Sequence, residues 1–176
     1  MAETIKYREY AKMGLDEGQL SGVRAVVADV HKILEMKEII DGIHEVHKFG
    51  ASSAKVQAVL LAHLERLGFT SERKGLFKEM NVSGIRPDYF KALPGGGILF
   101  EVERGKTIAN NMDLLDVWKT HICQEAQHLF LLVPNIRMTE KNKEQKIFAS
   151  VEKRVGTFFL EQTHPIDVES VHLFGY

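Results

Sequence analysis

The sequence predicts a mixed α/β fold: an α-helical N-terminal stretch, then helices and strands in the order αβββαβαβ around a central mixed sheet. Three observations carry this expectation. Apolar residues recur at helical spacing through roughly the first third of the chain, where no strand signal interrupts them. A "PGGG" turn joins two segments of strand character, and glycine there permits the positive φ that a hairpin needs. The run "HLFLLVPN" is continuously apolar between two helical segments, the pattern of a strand buried on both faces.

Taken in order, residues 3 to about 48 read as helical, with Val26, Val27, Val30, Ile33 and Leu34 marking one face. "FGASSAK" interrupts the chain, and Ser52 or Ser53 is suited to cap the next helix. There Val56, Val59, Leu60, His63, Leu64 and Leu67 follow the i, i+3, i+4, i+7 pattern up to Gly68, a helix stop. "FTSERKGLF", "IRPDYFKAL" and "GILFEVERG" are the three expected strands. A helix spans about Asn110 to Gln127, the buried strand follows, and "EKNKEQKIFASVEKRVGTFFLE" and "VESVHLFGY" complete the alternation as helix and strand. The expected organisation is an N-terminal helical extension over residues 1–50 and a core domain over 51–176, with no repeat or long linker between further units.

With 176 residues, 44% hydrophobic and 27% charged, the chain has the size and composition of one ordinary domain. No apolar run approaches the roughly 20 residues that span a bilayer. No signal peptide is visible in "MAETIKYREYAKMG", and the single Cys123 cannot form an internal disulfide. A soluble cytoplasmic protein with no membrane partner is therefore expected. The formal net charge of −1 argues against holding nucleic acid by bulk charge alone, although an acidic metal site would offset basic residues elsewhere in that sum.

Two acidic residues interrupt the third strand, and period-two alternation puts Glu101 and Glu103 on one face with Leu99, opposite Ile98, Phe100 and Val102. On the strand before the hairpin the same alternation groups Arg86, Asp88 and Phe90. A register that sets Asp88 beside Glu101 gathers three carboxylates, which repel one another and resist joint ionisation. A divalent cation resolves this, and Mg²⁺ takes such oxygen ligands together with water and phosphate. The plainer alternative is that Glu101 and Glu103 have reached the solvated end of an edge strand. In the following helix, Met112, Leu115, Trp118, Ile122 and Ala126 form the expected apolar stripe; Lys119 falls inside it, while Asp113, Thr120 and Gln124 are expected to point outward. Lys119 either snorkels to water along that stripe or pairs with the carboxylates.

The assembled pattern resembles the PD-(D/E)xK nuclease superfamily: "PD" in "RPDYF", a hairpin, the acidic strand "FEVERGK", then a helix and a buried strand, over roughly residues 51 to 134. The resemblance implies a restriction endonuclease-like αβββαβ core and a Mg²⁺-dependent DNA endonuclease of restriction or repair type, with Mn²⁺ as a substitute. It further implies that Asp88 and Glu101, helped by the Val102 carbonyl, hold the metal. The last motif position, usually lysine, is Glu103 here. Some members of the superfamily place glutamate there, and others supply the lysine from the next helix, a place that Lys119 fits, with Lys106 as runner-up. Arg86, Arg104, Lys106, Arg73 and Lys74 are the candidates for phosphate contacts, and cleavage of both strands makes a homodimer the expected assembly. The competing expectations are a catalytically silent nuclease fold that binds nucleic acid or serves in assembly, and a metalloprotein using His44 with His47 or His121 with Glu125, pairs one helical turn apart.

Overall fold

A computed structural model describes residues 5–48, 50, 52–72, 86–104, 107–141, 143–160 and 166–176. Its elements are β1 (Lys6–Ala11), α1 (Glu17–Leu34), α2 (Lys37–Val46), α3 (Ser53–Arg66), β2 (Thr70–Ser71), β3 (Tyr89–Lys91), β4 (Gly97–Val102), α4 (Met112–Ile122), β5 (Ala126–Val133), β6 (Arg137–Met138), β7 (Glu144–Gln145), α5 (Ile147–Leu160) and β8 (Ser170–Gly175). The fold is mixed α/β, and from α3 onward the order is the expected one, with a short antiparallel β6–β7 ribbon inserted before α5. Among the described residues no helix is long and apolar enough to cross a membrane.

The N-terminus departs from expectation. Residues 6–11, read from the sequence as helical, form a strand paired antiparallel with β8, from Lys6 opposite Gly175 to Ala11 opposite Ser170. "KYREYA" lies at a sheet edge, its first half exposed and its second half only partly buried, so it lacks the apolar alternation of a half-buried strand. Helix α1 does follow the predicted periodicity, with Val26, Val27, Val30, Ile33 and Leu34 all buried, and Ile39 and Ile43 of α2 are buried as well.

Among the described residues six strands form one sheet in the order β1-β8-β5-β4-β3-β2. Its centre, β8-β5-β4, is parallel, and β1 and the β3–β2 pair flank it antiparallel. Helix α4 connects β4 to β5 and α5 connects β5 to β8, each stepping to the next parallel neighbour in the same direction. Crossovers of one hand therefore place both helices on the same face. Leu99, Leu129, Leu131, Val171 and Leu173 pack there against Val117 of α4 and Val151 and Val155 of α5. On the other face Ile98, Phe100, Phe130, Leu132 and Phe174 meet α1, α2 and α3. Strand β5 is covered on both sides, as its unbroken apolar run predicts.

The hairpin that joins β3 to β4 depends on its glycines. Gly95 and Gly96 have φ of 86° and 147°, values that a side chain disfavours. Gly97 is required by close approach: its N–H donates to the Glu125 carbonyl at 2.9 Å, and a Cβ there would lie 2.4 Å from that same oxygen. Gly97→Ala is accordingly expected to cost about 1–3 kcal/mol by overpacking, readable as an earlier chemical-denaturation midpoint; an unchanged midpoint would mean that the contact relaxes freely.

A polar line crosses the face opposite α4. Ser170 Oγ lies 2.8 Å from both His128 Nδ1 and His172 Nε2, and His172 Nδ1 lies 2.8 Å from the Tyr7 hydroxyl on β1. Burial lowers the His128 pKa to about 4 and that of His172 to about 3, so both rings are neutral near pH 7.

Candidate active site

The site grows from the β3–β4 hairpin. Pairing of Tyr89 with Phe100 and of Phe90 with Leu99 carries the register on to set Asp88 beside Glu101. The Asp88 N–H donates to Glu101 Oε2 at 3.3 Å, and the Val102 N–H donates to Asp88 Oδ2 at 2.7 Å. The alternation that sends Ile98, Phe100 and Val102 into the core beneath α1–α3 turns Leu99 and Glu101 toward α4 and α5. Glu101 is only 3% exposed, so it does not sit at a solvated strand end. Glu103 is half-buried and lies within electrostatic reach of Asp88, Asp116 and Lys119.

Helix α4 supplies the cation. Lys119 Nζ lies 2.7 Å from Glu101 Oε1 and 3.0 Å from Asp116 Oδ1, so the ion pair rather than the snorkel is the arrangement adopted. Asp116 is a member of the cluster that the sequence reading missed. It is 0% exposed, and its Oδ2 is buried with no hydrogen-bond partner among the described residues.

The expected apolar stripe of α4 requires correction. Leu115 and Trp118 are 49% and 57% exposed, whereas Asp113, Asp116 and Thr120 are fully buried. The buried face of this helix is polar because of what it meets: Arg154 of α5 lies 3.0 Å from Asp113 through Nε, and Lys119 is gripped between Asp116 and β4. Thr120 turns its hydroxyl back to the Asp116 carbonyl at 2.9 Å. The signal that could have revealed Asp116 is its spacing, three residues before an inward lysine on one helix face.

Burial and mutual repulsion govern the electrostatics. Desolvation, opposed in part by the Val102 N–H and by Lys119, raises the Asp88 pKa to about 6. For Glu103 burial acts first and the charges of Asp116 and Asp88 add to it, pushing the carboxyl to about 8. Glu101 is raised well above the ordinary glutamate value by burial and then by Asp116 and Asp88, and burial raises Asp116 as well. Burial alone would lower Lys119, but Glu101 and Asp116 outweigh it and hold the ammonium charged.

The remaining predicted residues that are described are not gathered in the same way. Arg86 is exposed, two residues before Asp88. Arg104, expected to touch phosphate, is 4% exposed and donates to the Lys48 carbonyl, which turns its guanidinium inward. Arg73, Lys74 and Lys106 lie outside the described residues. Among the histidines, His121 Nδ1 accepts the Asp167 N–H at 2.8 Å, and His47 Nε2 lies 3.3 Å from the Ile136 carbonyl oxygen. Among the described residues no three or more His, Cys, Asp or Glu side chains form a ready-made metal site.

No protein-family model and no curated protein matches this chain. Its chemistry must be read from the cluster itself. The donor set, two carboxylates side by side on neighbouring strands, is all oxygen and under-neutralised by a single ammonium. That fits Mg²⁺, which binds through one or two carboxylates and completes its octahedron with water and substrate phosphate.

Proposed function

We propose that the chain is a Mg²⁺-dependent nuclease that hydrolyses phosphodiester bonds in DNA, an endonuclease of the restriction or repair type. The observation that supports it is the convergence at Glu101 of β4: the backbone N–H of Asp88, the residue just before β3, donates to its Oε2, and the Lys119 ammonium donates to its Oε1. In this reading Asp88, Glu101 and the Val102 carbonyl hold the metal, with Mn²⁺ able to replace it. When bound, the ion supplies Lewis-acid polarisation of the phosphate, a more acidic water and charge for the departing oxyanion.

The chain's own residues do the rest. Glu103, on the strand end beside the metal ligands, orients or deprotonates the attacking water. The Lys119 ammonium, held charged between two carboxylates, stands in the place of the superfamily's motif lysine and steadies developing negative charge. Arg86, exposed next to Asp88, meets the DNA backbone by charge and fixes its position rather than its sequence. Cleavage of both strands calls for two such sites, so the proposed working form is a homodimer.

One observation favours the second reading, a silent nuclease-like module that binds nucleic acid: Lys119 already neutralises Glu101. Incubation with supercoiled plasmid and with single-stranded DNA, in Mg²⁺ or Mn²⁺, separates the two. Metal-dependent conversion to nicked or linear product, blocked by chelation, is expected. Retention of the supercoiled form and intact single strands with either metal would turn the assignment to the silent module.

A further inference from the structure

Both oxygens of Glu101 are already engaged, Oε1 by the Lys119 ammonium at 2.7 Å and Oε2 by the Asp88 N–H at 3.3 Å. An ammonium this close to a ligand oxygen repels an incoming dication, so lysine and metal contend for one carboxylate. The Lys119 side chain is only 20% exposed, so leaving its ammonium without a partner is costly. Asp116 offers a way out. It lies three residues before Lys119 on α4, already accepts Nζ at 3.0 Å through Oδ1, and keeps Oδ2 buried without a hydrogen-bond partner among the described residues. Lysine carries three N–H donors and rotates freely about its stem, so Nζ can shift wholly onto Asp116 and remain paired.

We propose that Lys119 is a tethered place-holder cation, seated on Glu101 in the metal-free chain and displaced by the divalent ion, and that Asp116 is the positioning residue that receives it. The site then never holds its carboxylates without a positive charge. This rests on the metal-binding reading above, and its test is chosen to fail separately from it.

Titration calorimetry of the whole chain with Mn²⁺, without nucleic acid, reads the competition directly. Lys119→Met is expected to bind Mn²⁺ about tenfold more tightly than the wild type, because the competitor is gone. Asp116→Asn is expected to bind about tenfold more weakly, because the displaced ammonium loses its negatively charged partner. Most of that loss should vanish when Asp116→Asn is made in the Lys119→Met background, where no ammonium needs a destination. Thermal unfolding of each variant verifies the fold, and Lys119→Gln replaces the methionine variant if the latter melts early. Wild-type binding that Lys119→Met leaves equal or weaker would overturn the place-holder role, as would an Asp116→Asn loss of equal size in both backgrounds, which would make Asp116 a direct ligand; the metal-binding reading would survive either result. Absence of Mn²⁺ binding from every form, Lys119→Met included, would instead remove the metal site and with it the nuclease reading.

Discussion

Asp88→Ala and Glu101→Ala are each expected to reduce Mg²⁺-dependent plasmid cleavage by about a thousandfold, to the level of the chelated control. A bound metal contributes several kcal/mol of transition-state stabilisation, and each 1.4 kcal/mol or so is tenfold in rate. The fold should survive both changes. Each removes one member of a crowded carboxylate group whose pKa values burial and repulsion have already raised, so the remaining groups ionise more easily. Asp88→Ala leaves the Val102 N–H without its acceptor, a loss on the order of 1 kcal/mol. Cleavage at the wild-type rate by either folded variant would remove these residues from the chemistry.

The second large effect concerns acid. His128 and His172 take up a proton only near pH 4 and pH 3 in the folded chain, against an ordinary value of 6.5. Below 6.5 the unfolded chain therefore binds more protons, and stability falls with falling pH. The carboxylate cluster acts in the opposite sense. Its folded pKa values are raised, to about 6 for Asp88 and about 8 for Glu103, so its stabilising share is greatest in acid and is lost as pH rises through those values. Because the two groups lie on opposite faces of the sheet, a histidine variant isolates the first contribution. Between pH 7 and pH 4 the wild type should lose on the order of 3 kcal/mol more stability than His172→Gln, at about 1.4 kcal/mol per pH unit of unequal protonation. Denaturant titrations across that interval measure it. The charged and polar groups facing the His172 ring are Tyr7, Glu9, Arg24, Ser170 and His128, and all stay in place in the variant. Parallel stability curves for the two proteins would mean that the ring is not held neutral.

The carboxylate pair was legible in the sequence because a strand has a period of two. Once "PGGG" joins "RPDYF" to "FEVE", the facing of Asp88 and Glu101 follows from alternation and register alone. Lys119 does reach inward, but the stripe that predicted this included Leu115 and Trp118, which are exposed, so the expectation held on a partly wrong premise. The rest of α4 was not legible. Hydrophobicity assigns Leu115 and Trp118 inward and Asp113 and Thr120 outward, and the reverse holds because the cations that pair with Asp113 and Asp116, Arg154 and Lys119, are visible only in three dimensions. Arg104 was misread for a related reason: a basic residue after an acidic strand invites phosphate, but its partner is the carbonyl of distant Lys48. For β1 the local pattern is nearly uninformative, and what makes it a strand is a segment at the far end of the chain.

That last pairing bears on how the protein matures. Lys6 finds its partner in Gly175, and β8, which receives β1, sits between it and β5 in the sheet. On a ribosome moving at roughly 5–20 residues per second, β1 waits on the order of ten seconds or more for that partner. During synthesis the emerging chain carries both β1 and the apolar edge of β5 uncovered, a template for pairing with other chains. Nascent chains arrested before residue 170 should therefore associate with holdase chaperones, and release should coincide with delivery of the final strand.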